Sequence, residues 1–316
     1  GLSGAQVRDR RVRDLMTGLG FHEAQTLSFL GQAELDGLQF PDDDERRAAI
    51  RVRNPLREEE AFLRTTVLAN LLKAVQYNVS HGVADVALFE VGRVFLPTPD
   101  LDDPRVPNQP MHLAFIATGR TGTGGLHATD GPSDVFSATG AVRAVAQGLG
   151  LSAEIVQSSP AGFHPGRAGE VLIGGESIGV VGELHPGVGR AFGLDGRVIA
   201  AELALAPLVA GRDLWQLDPP STYPRVEFDL AFVVGVEVSA ASMLAAAYAS
   251  AGDWLEETFV FDEFRGGSLG KGFKSVGLRL VFRAPDHTLT NEEVAPFREQ
   301  IIAGVVESTG GQLRGS

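Results

Sequence analysis

Apolar residues recur along the N-terminal two thirds of the chain with two alternating periods. In "QVRDRRVRDLMTGLG", Val12, Leu15, Met16 and Leu19 fall at i, i+3, i+4 and i+7, which places them on one face of a helix that Gly18 and Gly20 close. "FHEAQTLSFL" reads as a strand. "TVLANLLKAVQYNVSHG" returns to the helical period through Leu68, Leu71, Leu72, Val75 and Val79. "VADVALFEVGRVFL" is then a long apolar strand, and "PTPDLDDPRVPNQP" a surface loop, because each proline removes a donor and fixes φ. "MHLAFIATG" predicts a strand, "SDVFSATGAVRAVAQGLG" a helix, and "EVLIGGESIGVVGELHP" a hairpin turning at Gly174, Gly175 and Glu176. The pattern is that of a mixed sheet with helices.

After "GRDLWQLDPPSTYP" the order becomes regular. Strand (EFDLAFVV), helix (SAASMLAAAYASAG), strand (LEETFVFDEF), strand (KSVGLRLVFRA), helix (TNEEVAPFREQIIAGVVESTGG) and a short strand (QLRG) follow one another. This is βαββαβ, the ferredoxin-like arrangement. Thr290 and Glu293 stand in capping-box spacing at the start of its second helix, with Pro296 expected to disturb the first turn.

Composition narrows the chemistry. The 316 residues are 44% hydrophobic and 21% charged, carry a formal net charge of −13, and include no cysteine. Disulfides, thiolate metal sites and cysteine nucleophiles are therefore excluded. The sequence has neither a membrane-length apolar run nor a signal-peptide layout, so a cytoplasmic setting without membrane association is expected. The opening Gly1 suggests a processed chain or a piece of a longer one.

Short motifs carry little. "GESIG" fits the G-x-S-x-G nucleophile elbow and makes Ser177 a candidate serine nucleophile. An elbow needs strand, sharp turn and helix, whereas apolar strand residues flank this one on both sides, so a hairpin is the better reading and a hydrolase the alternative. "GGSLGKG" lacks a P-loop's first glycine, having Arg265 there, and has Gly272 where Ser or Thr holds magnesium. The seven histidines show no ligand spacing, and His164 and His185, each before proline, read as turn residues. No metal site and no catalytic site is predicted.

The runs "NPLREEEAFLRTTVLANLLKAVQYNVSHGVADVALFEVGRVF", "FHPGRAGEVLIGGESIGVVGELHPGV" and "YPRVEFDLAFVV", with the later "FDEFRGGSLGKGFKSV", closely resemble the C-terminal portion of the bacterial phenylalanyl-tRNA synthetase β chain, across essentially the whole sequence. The resemblance implies an α+β protein. A class II synthetase-like mixed or antiparallel sheet with helices occupies residues 1–210 as a non-catalytic module, a linker covers 211–222, and a ferredoxin-like anticodon-binding domain covers 223–316. It further implies a catalytic α chain as partner in an α2β2 heterotetramer, tRNA(Phe) as the bound nucleic acid, and ATP and Mg2+ as cofactors of the assembled enzyme, with none in this chain. Arg64 and Arg93 are expected to serve internal pairing or the subunit interface rather than ATP. Nothing matches the family's upstream editing domain. A paralogue that keeps the fold without the partner is a further alternative.

Within that expectation, the glycine-rich bend of "FDEFRGGSLGKGFKSVGLRLVF" gathers an aromatic and several cations. Phe264 would stack on an unpaired base, while Arg265, Lys271 and Lys274 would neutralise phosphate, joined by Arg314 beside the last strand. The surrounding region is acidic. From Tyr223 to Ser316 eight Lys and Arg face thirteen Asp and Glu, a net of −5, so the broad basic footprint of an RNA-binding domain is missing.

Overall fold

A computed structural model of the chain describes residues 1–97, 107–121, 131–210, 221–266 and 269–314. The chain divides into two compact units, Gly1–Trp215 and Gln216–Ser316. The expected linker falls almost wholly on 211–220, outside the described residues.

The first unit begins with helix α1 (Gly4–Gly18), whose Ser3 and Gln6 form a capping box. Short strands β1 (His22–Glu23) and β2 (Phe29–Leu30), helix α2 (Gln32–Gly37), strand β3 (Phe62–Leu63) and helix α3 (Leu68–Ser80) follow. Next come β4 (Val86–Arg93), β5 (Met111–Thr118), the small pair β6 (Arg120–Thr121) and β7 (Gly131–Pro132), and helix α4 (Val135–Gly148). Strands β8 (Ala153–Gln157), β9 (Phe163–Ile173) and β10 (Glu176–Leu184), helix α5 (Pro186–Ala191), strand β11 (Val198–Ala204) and helix α6 (Leu205–Val209) complete it.

Seven of these strands form one sheet in the order β1-β4-β5-β11-β10-β9-β8. β1 runs parallel to β4, and every other pairing is antiparallel. The sheet is buried on both faces, which is why β4 and β5 read as nearly continuous apolar runs. Phe89, Leu113, Phe115 and Ile199 meet Val12 and Met16 of α1 and Val142 and Val145 of α4 on one face. On the other, Ala114, Ile116, Val198 and Ala200 meet Leu68, Leu71, Leu72 and Val75 of α3.

The expected strand over "FHEAQTLSFL" is instead two two-residue pieces that serve different sheets, β1 pairing with β4 and β2 with β3. The β9–β10 hairpin turns through Gly174 and Gly175 at φ +61° and +83°, a two-residue loop that needs positive φ at both positions and so takes glycine.

The second unit follows the βαββαβ order. It comprises β12 (Val226–Gly235), α7 (Ala240–Ser250), β13 (Leu255–Arg265), β14 (Phe273–Phe282), α8 (Asn291–Thr309) and β15 (Gln312–Leu313). The antiparallel sheet runs β13-β14-β12-β15. Leu230, Phe232 and Val234 of β12 and Val276, Leu278, Leu280 and Phe282 of β14 bury one face against Met243 and Ala247 of α7 and Val294, Ile301 and Val305 of α8. The α8 capping box forms and the helix continues through Pro296. Pro296 sits beyond the first turn, so the cap does not depend on it. Gly310, at φ +66°, ends the helix in the left-handed conformation.

Candidate nucleic-acid interface

The helices of the second unit pack against one face of its sheet, and the other face carries no helix among the described residues. Side chains alternate between faces along a strand, and partners across an antiparallel pair share a face. On β14 the open face therefore takes Phe273, Ser275, Gly277, Arg279 and Val281. Asp229 of β12 is paired with Arg279, and Ala231 with Gly277.

Strand β13 reaches this face through an irregularity. Phe259 is opposite Arg279 and Val260 opposite Leu278, but the next pair is Asp262 with Gly277, followed by Glu263 with Val276 and Phe264 with Ser275. The shift between Val260 and Asp262 is a β-bulge, one extra residue that resets the alternation. Without it Phe264, an odd number of residues from Phe259, would point toward the helices. With it, Phe259, Phe261 and Phe264 all stand on the open face, at 37%, 47% and 45% exposure, and Phe273 joins them at 50%.

On this face strands β12, β13 and β14 place one cation, Arg279, among the carboxylates Glu227, Asp229, Glu257 and Asp262. The Arg279 guanidinium donates to both oxygens of Asp229 at 2.7 and 2.8 Å, lies 3.8 Å from Glu227, and sits 5.4 Å from the centre of the Phe261 ring. The hydrogen bond from Arg279 holds the Asp229 carboxyl below its usual range, and the pairing raises Arg279 in turn. Glu263 is likewise held low, chiefly by the hydrogen bond from Arg265 at 2.7 Å and then by Lys274 at 3.3 Å.

The five candidate residues thus separate. Phe264 lies on the open face. Arg265 is exposed, with its guanidinium engaged by Glu263. Lys271 is exposed and makes no ion pair among the described residues. Lys274 is only 5% exposed and its ammonium is paired with Glu263, so it braces the hairpin from within. Arg314 lies just past β15, at the opposite edge of the sheet, with β14 and β12 between it and Phe264; its backbone N–H bonds to Ala231.

Phe259, Phe261, Phe273 and Arg279 belong to the face but were not singled out from the sequence. The i, i+2 spacing of Phe259 and Phe261 was available as a signal. The bulge that adds Phe264 was not. An array of exposed rings with few free cations is suited to stacking on unpaired bases, with little phosphate neutralisation.

The first unit answers the remaining sequence readings. Ser177 lies in β10 immediately after the Gly174–Gly175 turn and opposite Leu172, so no helix follows it and the elbow geometry is absent, which overturns the serine-hydrolase alternative. His164 and His185 each accept a backbone N–H two residues ahead, from Gly166 and Gly187 at 3.1 Å; His185 thereby caps α5, whereas His164 lies within strand β9 rather than in the expected turn. Arg64 is 2% exposed and fully engaged, with Glu90 at 2.8 Å, the Arg93 carbonyl at 2.7 Å and Thr26 at 2.9 Å. Nothing of it remains for a nucleotide. Arg93 is exposed and donates to the Gln109 carbonyl. Among the described residues no group of three or more His, Asp or Glu could hold a metal, and no helix is long and apolar enough to cross a membrane.

Comparison with known proteins gives a consistent picture. Residues 1–205 match the family model described as "Phenylalanyl tRNA synthetase beta chain CLM domain", and residues 221–314 match "Ferredoxin-fold anticodon binding domain". Among curated proteins, the phenylalanine–tRNA ligase β subunit of Geobacter sulfurreducens is 34% identical over 98% of this chain and 39% of its own length. The β subunit of Symbiobacterium thermophilum is 34% identical over 96% and 34%, and that of Streptomyces avermitilis 36% identical over 99% and 41%. The chain thus spans about two fifths of these relatives. Among solved structures, pyrrolysyl-tRNA synthetase from Desulfitobacterium hafniense aligns with a TM-score of 0.50 at 12% identity, covering 65% of this chain and 68% of that one, a likeness of fold.

Proposed function

Because the chain belongs to the bacterial phenylalanyl-tRNA synthetase β-chain family and matches its C-terminal portion, we propose that it is the non-catalytic, RNA-holding part of a phenylalanine–tRNA ligase. The first unit associates with a catalytic α chain, and the second holds the anticodon region of tRNA(Phe) while phenylalanine is attached. The observation that carries the RNA reading is the open sheet face with Phe259, Phe261, Phe264 and Phe273 exposed together. An anticodon loop offers unpaired bases, and such bases are read by stacking on aromatic side chains.

Chemistry is assigned to the partner. The residues most tempting as nucleotide contacts in the first unit do not fit ATP: Arg64 is consumed by Glu90, Thr26 and the Arg93 carbonyl, and Arg93 is held at the exposed end of β4 by Gln109. In this reading ATP and Mg2+ act in the α chain of an α2β2 enzyme.

Co-purification with the α chain, read by light scattering for mass, tests the assembly. A stable complex of defined stoichiometry is expected. A folded chain that never associates, even when supplied with the upstream part of the β chain, would make this a paralogue without a partner and end the ligase reading.

A further inference from the structure

On the α3 side of the seven-stranded sheet, His112 opens β5 and Glu202 lies near the end of β11. Their registers, His112 opposite Ala204 and Glu202 opposite Ala114, make them diagonal neighbours on one face. The His112 Nδ1 is 2.8 Å from Glu202 Oε1. The same oxygen accepts the Val67 N–H at 3.1 Å, and the other carboxylate oxygen accepts the Thr66 hydroxyl. Burial pushes the Glu202 carboxyl up, but the bonds from His112, Thr66 and Val67 outweigh it and leave it below its ordinary value. The group is therefore a fixed, buried negative charge, and it orients the imidazole with Nδ1 donating and Nε2 without a hydrogen-bond partner among the described residues.

These two side chains line a cavity of about 430 Å3. Leu68, Leu96 and Val180 give it an apolar wall, and Asp44 and Glu45 add further carboxylates. The one cation in the lining, Arg46, is spent elsewhere: it chelates Asp44 at 2.8 and 2.6 Å and lies 3.7 Å over the Phe40 ring. Glu45 and Glu202 thus face the space with no guanidinium or ammonium to balance them. A phosphate or carboxylate would be repelled. A positive group attached to an apolar body would find both complements at once.

We propose that this cavity is a binding site for a small apolar molecule bearing an ammonium group. Its charge lies toward Glu202 and Glu45, one N–H donates to His112 Nε2, and its hydrocarbon rests on Leu68, Leu96 and Val180. The site is separate from the open face of the second unit, and its failure would leave the RNA reading untouched.

Calorimetric titration of the full chain with phenethylamine, 2-phenylethanol and phenylacetate tests this, since the three share a body and differ in charge. Saturable binding of phenethylamine is expected, at least tenfold tighter than the alcohol, with no binding of phenylacetate. Glu202→Gln should weaken it at least tenfold. Because Glu202 also caps Val67, the exposed Glu45→Gln supplies a second variant, expected to weaken binding about threefold with the fold intact. Absence of saturation, equal binding of all three compounds, or an unchanged affinity in Glu45→Gln would overturn the proposal.

Discussion

The Phe261 ring lies across Gly277 of the neighbouring strand, so that a Cβ added at position 277 would come within 2.8 Å of the ring's tip. Gly277 is thus the floor on which the most exposed ring of β13's central stretch rests, with Arg279 beside it. Gly277→Ala should push the ring off this seat at small cost to the fold, because the far end of a side chain moves more easily than a strand. Binding of an anticodon stem-loop is expected to weaken severalfold while the melting temperature stays within a few degrees. A large fall in melting temperature with unchanged affinity would show that the ring's seat is structural only.

Salt dependence should be shallow. Arg265, Lys274 and Arg279 are already paired with carboxylates, which leaves Lys271 and Arg314 as the free cations among the candidates. Each phosphate contact on a single strand adds about −0.7 to the slope of log K against log salt, so a slope near about −1.4 is expected. Lys271→Ala should flatten it by about 0.7. Lys274→Ala should leave the slope alone and instead lower stability by about 1–2 kcal/mol, through lost packing of a nearly buried stem. Parallel titrations at several salt concentrations, with melting curves for both variants, separate the two roles.

The Arg64–Glu90 pair makes a stability prediction for the first unit. Both side chains are nearly sealed from solvent, at 2% and 5% exposure. Removing one partner strands the other charge, a loss of about 3–5 kcal/mol. Glu90→Leu should therefore be severely destabilising by denaturant titration. Gly92→Ala should act in the same direction, since its Cβ would collide with the Arg64 guanidinium and the Glu90 carboxylate.

In the second unit His287 sits between Asp286 at 2.7 Å and Glu293 at 3.3 Å, and packs edge-on against Trp254 at 5.6 Å. The hydrogen bond to Asp286 and then the two carboxylate charges raise its pKa above the ordinary value of about 6.5. A raised folded pKa means that the stabilisation is fully present below about pH 6.5 and is lost as pH rises through the folded value. Trp254 fluorescence should report this titration with a midpoint above 6.5, and His287→Gln should abolish it. Asp286 and Glu293, held low, contribute in the opposite sense, losing their stabilisation as pH falls through their depressed values.

Much of this architecture was legible in the residues. The helical periods over Val12–Leu19 and Leu68–Val79, and the βαββαβ order after Tyr223, arise from burial patterns that repeat along the chain, and burial is what built the structure. The interface was legible only in part. Phe264 was visible as an aromatic beside cations, but whether a strand residue points to helices or to solvent depends on register, and one extra residue at the bulge between Val260 and Asp262 reverses it. The burial of Lys274 was hidden for a related reason: it lies on the helix-facing side of β14 and finds Glu263 from the adjacent strand, a partner eleven residues away that spacing alone does not reveal. The His112–Glu202 pair joins positions 90 residues apart, and no local motif marks it.

The open sheet face is the proposed surface for RNA. Fluorescence anisotropy of a labelled tRNA(Phe) anticodon stem-loop, titrated with the full chain and with a Phe259→Ala/Phe261→Ala/Phe264→Ala variant, tests it most directly. Stacking contributes about 1–3 kcal/mol per base, so the variant is expected to lose binding by at least about a hundredfold while melting at a similar temperature. Equal affinities for the two proteins, or binding that ignores the loop sequence and survives the substitutions, would contradict it.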